Sequence, residues 1–201
     1  MQLHDKVNLV GNGRPWKDPT DRQLKSLMVL RADLDGFGSL MQRGLDHAVR
    51  DALHQALERY AGDCLHASIG EGDSMLLVDD RILTLVKAAR RIMEEISEVP
   101  GSPRLRVAIA SGPVAVRERG DERPAIEGGS AVLVASRIEP LVRPGEIWVT
   151  DEIEAVLAAT DTIYRAEPVA AAGVTPREDG AVNVCKPDEQ DIWVRLHRVV
   201  S

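Results

Sequence analysis

Apolar and polar positions follow two periods along this chain. Residues 27–34, LMVLRADL, form a short strand-like run that Gly36 and Gly38 break. Residues 46–60 carry Val49, Leu53, Ala56, Leu57 and Tyr60 at helical spacing, with Asp46 to cap the start and Gly62 to stop the end. CLHASI (64–69) and SMLLV (74–78) flank a Gly-rich connection and predict a hairpin. Residues 82–96 predict an amphipathic helix that Pro100 and Gly101 close off, and 105–112 a strand that leaves at Pro113. Residues 117–124 predict a polar excursion, 130–142 a helix, 146–150 a strand and 151–159 a short helix. Residues 167–189 predict irregular chain, and 191–200 a closing strand.

The order strand, helix, hairpin, helix, strand fits a ferredoxin-like βαββαβ core with C-terminal additions, in the α/β (α+β) class. The polar first stretch predicts a flexible arm over 1–23, which Trp16 could anchor, and one domain over 24–201. There is no internal repeat or low-complexity tract.

Composition narrows the class. The chain has 201 residues, 44% hydrophobic and 28% charged, with a formal net charge of -7. That balance belongs to a globular protein and disfavours a broad nucleic-acid surface, although one small cationic pocket stays open. No apolar run approaches the roughly 18 residues of a membrane span, and no signal segment opens the chain. Cys64 and Cys185 do not make a disulfide framework, so a reducing, cytoplasmic setting is expected.

Candidate chemistry clusters in short motifs. In ADLDG (32–36), Asp33 sits near a strand end with Asp35 on the same side, and the Gly-rich turn brings backbone amides within reach of a phosphate. An ordinary loop cap explains the same residues. In GEGD (70–73), Asp73 lies at the hairpin tip or the start of the next strand, where stabilising the turn explains it as well. The pair says more. If the first strand and the hairpin are neighbours, Asp33 and Asp73 converge, and two such carboxylates repel unless a cation lies between them. Hard divalent ions take one or two carboxylates plus substrate phosphates, which points to phosphoryl chemistry. Arg137, among apolar residues of ASRIEP, needs either a neighbouring carboxylate or a phosphate. Cys64 and His66 are expected to be packing residues, His47 and His54 surface residues, and Arg90 and Arg91 part of a solvated helix face. Arg117, Arg119 and Arg123 alternate with acids, as in an exposed loop.

LRADLDGFGSL (30–40), GDSMLLV (72–78), RVAIASGPV (106–114) and GGSAVLVASRIEPLVRPGEIWVTDE (128–152), in that order, resemble the catalytic domain of the class III nucleotidyl cyclases, the adenylate and guanylate cyclase family. The resemblance covers about residues 26–155. It implies a head-to-tail homodimer with composite interface sites. In each site Asp33 and Asp73 of one subunit would hold two divalent ions, Mn²⁺ or Mg²⁺, while Arg137 of the other would face the transition state. Backbone amides of Leu34, Asp35, Gly36, Phe37 and Gly38 would approach the phosphates of a nucleoside triphosphate.

The sequence departs from the family where the base is read. The usual Asn four residues before the arginine is Leu133. The purine-reading position falls on Ile69, or on Ala67 if IGEGD holds an insertion, and its usual Asp or Cys partner falls on Ile126. A pocket without those polar groups does not select purines in the usual way. The chain thus resembles bacterial uridylate and cytidylate cyclases of phage defence, which implies a pyrimidine cyclase making a second messenger from UTP or CTP. The alternatives are an adenylate or guanylate cyclase, or a degenerate cyclase fold that binds nucleotide or protein without turnover.

Overall fold

The computed structural model describes residues 22–44, 46–70, 73–119, 122–160, 162–186 and 189–200. Residues 1–21 of the expected N-terminal arm lie outside the described residues, while Arg22 and Gln23 already belong to the first strand.

That strand, β1 (Arg22–Leu34), is an interior strand of the sheet. After it come α1 (Phe37–Gln42), α2 (Asp46–Tyr60), β2 (His66–Ile69), β3 (Ser74–Asp79), α3 (Ile82–Ser97) and β4 (Leu105–Arg119). The order β2-β3-β1-β4 is that of a ferredoxin-like core. Then β5 (Glu122–Gly128) pairs with the far end of β4, and α4 (Ser130–Ile138) runs into a 3-10 turn, Glu139–Leu141. The sheet continues from β4 through β6 (Ile147–Thr150), β10 (Leu196–Val200) and β7 (Arg165–Pro168), with α5 (Asp151–Ala159) between β6 and β7. Among the described residues, β4 and β6 alone pair in parallel, and the other pairings are antiparallel. A separate small ribbon joins β8 (Val182–Asn183) to β9 (Trp193–Val194).

Alternation divides the core between two layers. Leu30, Ala32 and Leu34 of β1 pack with Met75, Leu77, Val107 and Ile109 under α2, α3 and α5. Leu27 and Val29 face the other way, against Ala131 and Ala135 of α4. In α3, Ile82, Leu85, Val86, Ala89, Ile92 and Ile96 recur at helical spacing and are all buried. Truncating Ile92 to Ala would cost about 2–5 kcal/mol, because a side chain with no exposure leaves a cavity.

Several expectations change. The first strand starts five residues earlier than 27–34, and residues 105–112 are part of a strand reaching Arg119. The polar excursion over 117–124 is instead part of the β4–β5 hairpin, where Glu127 ion-pairs with both Arg22 and Arg117 across the strands. Arg123 donates to the Gly62 carbonyl at 2.7 Å. The helix expected over 130–142 ends at Ile138, where the tighter 3-10 turn containing Pro140 takes over. At its start Gly129 has φ +129°, and a Cβ there would overlap the Pro113 carbonyl. Within 167–189, Glu167 and Pro168 complete β7 and residues 182–183 form β8; residues 191–200 divide into β9 and β10. Arg90 is not merely solvated, since it donates to the Val199 carbonyl at 3.0 Å. Burial pushes the Cys64 thiol up to about 11, which leaves it an unreactive packing group.

Candidate functional site

The antiparallel registers of β1 bring the candidate residues together. Asp33 lies opposite Ser74 on β3 and opposite Arg106 on β4. Asp73 immediately precedes Ser74, so both carboxylates stand at one end of the central strands. Because Ala32 and Leu34 point into the α2–α3 layer, Asp33 points to the face that carries α4. The two aspartates are electrostatically coupled. Burial first, and then the Asp33 charge, raise the Asp73 carboxyl above its ordinary value, against smaller opposing effects of its own backbone hydrogen bond, Arg50 and Arg106.

Arg106 is the residue that motif reading missed. Its guanidinium donates to Asp33 Oδ2 at 2.7 Å, lies 3.6 Å from Asp35 Oδ1, and places Nε 3.2 Å from Glu139 Oε1. Only about a fifth of the Asp33 and Arg106 side chains is exposed. Glu139 comes from the turn after α4 and is less exposed still. Burial raises its carboxyl above the ordinary value even though Arg106 pulls the other way. One fixed guanidinium is thus shared among three carboxylates, with Asp73 close by. An additional cation would relieve the remaining repulsion.

The turn after β1 supplies fewer free amides than expected. The Asp35 N–H donates to the Arg104 carbonyl at 3.0 Å, and Leu34 lies within the β1–β4 pairing. Gly36 adopts φ +81° and opens α1, whose first turn has no side-chain cap, so the amides of Phe37 and Gly38 begin an uncapped turn. The Phe37 ring is buried in the core and anchors that turn from below, with the Arg50 guanidinium 5.4 Å from its centroid.

Arg137 stands apart from this cluster. It is the penultimate residue of α4, whereas Glu139 opens the turn that follows, and the two side chains have different partners. Its guanidinium ion-pairs with Glu189, and its Nε is buried without a hydrogen-bond partner. The structure therefore brings Asp33 and Asp73 together within one chain and leaves Arg137 turned toward the C-terminal segment.

The candidate base-reading positions also separate. Ala67 and Ile69 pair with Leu77 and Met75 and pack against the α2–α3 layer. His66 and Ser68 occupy the opposite face of β2. His66 Nδ1 donates to the Pro124 carbonyl at 2.9 Å, and in the neutral ring Nε2 accepts from the Ser68 hydroxyl at 3.0 Å. Ile126 packs beside the α4 layer, while Leu133 is 42% exposed on the surface of α4. A cavity of about 750 Å³ lies elsewhere, near Met28, Tyr60 and the start of α3, and does not include Asp33, Asp73 or Arg137.

No protein-family model matches the chain. Over 86 residues it is 35% identical to the pH-sensitive adenylate cyclase MT1302 of Mycobacterium tuberculosis (strain CDC 1551 / Oshkosh), a match covering 43% of this chain and 20% of that protein. The chain thus spans about a fifth of that curated relative. The adenylyl cyclase CyaB from P. aeruginosa superposes with a TM-score of 0.62 at 17% identity, over 90% of this chain and 96% of that one. The guanylate cyclase domain of RhGC from Catenaria anguillulae, solved in complex with GTP, gives 0.63 at 20% identity, over 89% and 98%. The fold is that of the adenylate/guanylate cyclase catalytic domain. This cyclase fold contains no helix, among the described residues, that is long and apolar enough to cross a membrane.

Proposed function

We propose that the chain is a metal-dependent nucleotidyl cyclase that converts a pyrimidine nucleoside triphosphate, UTP or CTP, to its 3′,5′-cyclic nucleotide and pyrophosphate. The observation that carries this reading is the convergence of Asp33 and Asp73 at adjacent strand ends, where the charge of one raises the proton affinity of the other. Among the described residues no group of three or more His, Cys, Asp and Glu could hold a metal ion by itself. Two carboxylates completed by triphosphate oxygens are instead the donor set of a divalent ion that arrives with its substrate.

Asp33 and Asp73 would hold two such ions, Mn²⁺ or Mg²⁺, which when bound supply polarisation of the α-phosphoryl group and a lowered pKa for the ribose hydroxyl. The 3′-oxygen attacks the α-phosphorus, its proton passes to solvent water, and the bond to the pyrophosphate oxygen breaks so that pyrophosphate leaves. Amides of the turn between β1 and α1, chiefly those of Phe37 and Gly38, orient the phosphates. Arg106 keeps Asp33 in place and limits repulsion among the carboxylates. Arg137, contributed by the second protomer of a head-to-tail homodimer, offsets the charge that develops at the phosphorus.

Base selection follows from what the side chains can pair. Ala67 and Ile69 point into the helical layer, and Ile126 and Leu133 are apolar, so a purine finds none of the polar partners expected there. A purine cyclase is the second reading, favoured by the partial match to an adenylate cyclase. The antiviral second-messenger role rests on the resemblance to pyrimidine cyclases of phage defence. Purified protein incubated with Mn²⁺ and each of the four ribonucleoside triphosphates should release mainly cyclic UMP or cyclic CMP. Mainly cyclic AMP or cyclic GMP would overturn the pyrimidine assignment, and no cyclic product from any of them would overturn the cyclase reading.

A further inference from the structure

We infer that Glu189 is an internal stand-in for substrate phosphate at Arg137, masking the arginine until a triphosphate displaces it. This rests on the reading of Arg137 as a phosphate ligand and adds the device that regulates it. Arg137 is only 21% exposed at its side chain, and its Nη2 donates to Glu189 Oε1. Its Nε remains buried and unpartnered. A guanidinium presents several donors in a fixed fork, which a multi-oxygen anion satisfies better than one carboxylate oxygen. The arginine is therefore only partly satisfied as it stands.

Glu189 is delivered by a segment whose docking does not depend on the ion pair. Val182 and Val184 bury themselves with Ala171 against Ile138 and Val142, at the end of α4 and just beyond it. β8 pairs with β9, and Asn183 Nδ2 donates to Asp191 Oδ1 at 2.6 Å. The Arg177 guanidinium lies 3.5 Å from the Trp193 ring centroid. These contacts hold the segment on α4 and leave Glu189 at its outer edge, 38% exposed at its side chain. Because Glu189 keeps more than a third of its side chain in water, the pair contributes little, equivalent to at most about a fivefold change in an equilibrium. A tetra-anionic triphosphate can outcompete it, so the mask sets a threshold of substrate concentration rather than a lock.

The test uses the full chain with Mn²⁺. It measures the affinity for α,β-methylene-UTP, a non-cyclisable triphosphate, together with KM and kcat for the preferred substrate. Glu189→Gln should tighten analogue binding and lower KM by about two- to fivefold, with no fall in kcat. In the Arg137→Ala background the same change should give no gain, because nothing remains to unmask. Glu189→Asp, which keeps the charge but retracts it by one methylene, should give a smaller gain and serves if the Gln variant folds poorly. Unchanged affinity in both Glu189 variants would overturn the mask, as would an equal gain without Arg137. A fall in kcat toward that of Arg137→Ala would instead make Glu189 a positioning residue. Failure of the underlying reading looks different: Arg137→Ala alone would then bind the analogue and turn over like the wild type.

Discussion

The carboxylate cluster and the arginine are built in opposite ways. Asp33 and Arg106 sit on the two central strands, fixed by a continuous register, with Val107 and Leu34 fully packed beside them. Arg137 sits on a helix face and takes its orientation from Glu189, 52 residues away in a segment that packs on α4 from outside. The lesson is a division of labour. The half that would hold metal ions is set by the sheet, while the half that would meet the transition state depends on a contact that substrate would exchange.

Breaking the rigid half has the largest expected effect. Asp33→Asn or Asp73→Asn should reduce cyclic nucleotide formation to background while circular dichroism and dimer mass stay unchanged. Arg137→Ala should lower kcat by about 10²–10³, the usual cost of one donor to developing charge. Mixed dimers of Asp73→Asn and Arg137→Ala should recover one working composite site; verified mixed dimers without activity would put the arginine and aspartates in the same subunit.

Smaller effects sharpen the contrast in stability. Arg106→Ala leaves Asp33 and Glu139 facing each other in a partly buried setting, and denaturant unfolding should show a loss of about 1–3 kcal/mol. Asp73→Asn should do the reverse in metal-free buffer. The Asp73 carboxyl is raised in the fold, so the native state holds its proton more tightly than the unfolded chain does. Its ionisation therefore costs stability as pH rises through and above the ordinary carboxylate range. The variant should melt at a higher temperature than the wild type at neutral pH, and the difference should vanish below that range. Equal melting temperatures at every pH would show that Asp73 carries no such penalty.

The sheet core was legible because its signals are local. Alternation along 27–34 and 105–112, and the spacing of the α2 and α3 side chains, report burial without knowledge of partners. The β4–β5 hairpin was not, because Arg117 and Glu127 look like a solvated loop until their cross-strand pairing is known. α1, at six residues, is too short to display a period. The convergence of Asp33 and Asp73 was foreseeable once the hairpin was placed beside β1. The part of Arg106 emerged only from the register that sets it opposite Asp33. The positions four and six residues before Asp73 are Ile69 and Ala67, but strand pairing turns both into the helical layer and leaves His66 and Ser68 on the other face. Glu189 gave no local sign, since its partner is distant in sequence.

Manganese binding read by electron paramagnetic resonance, with α,β-methylene-UTP present, tests the central claim most directly. The wild type should hold two ions per site, and both Asp33→Asn and Asp73→Asn should bind manganese far more weakly while remaining folded. Undiminished binding in a folded chain carrying both substitutions would contradict the account, because the converging carboxylates would then have no part in holding the ions.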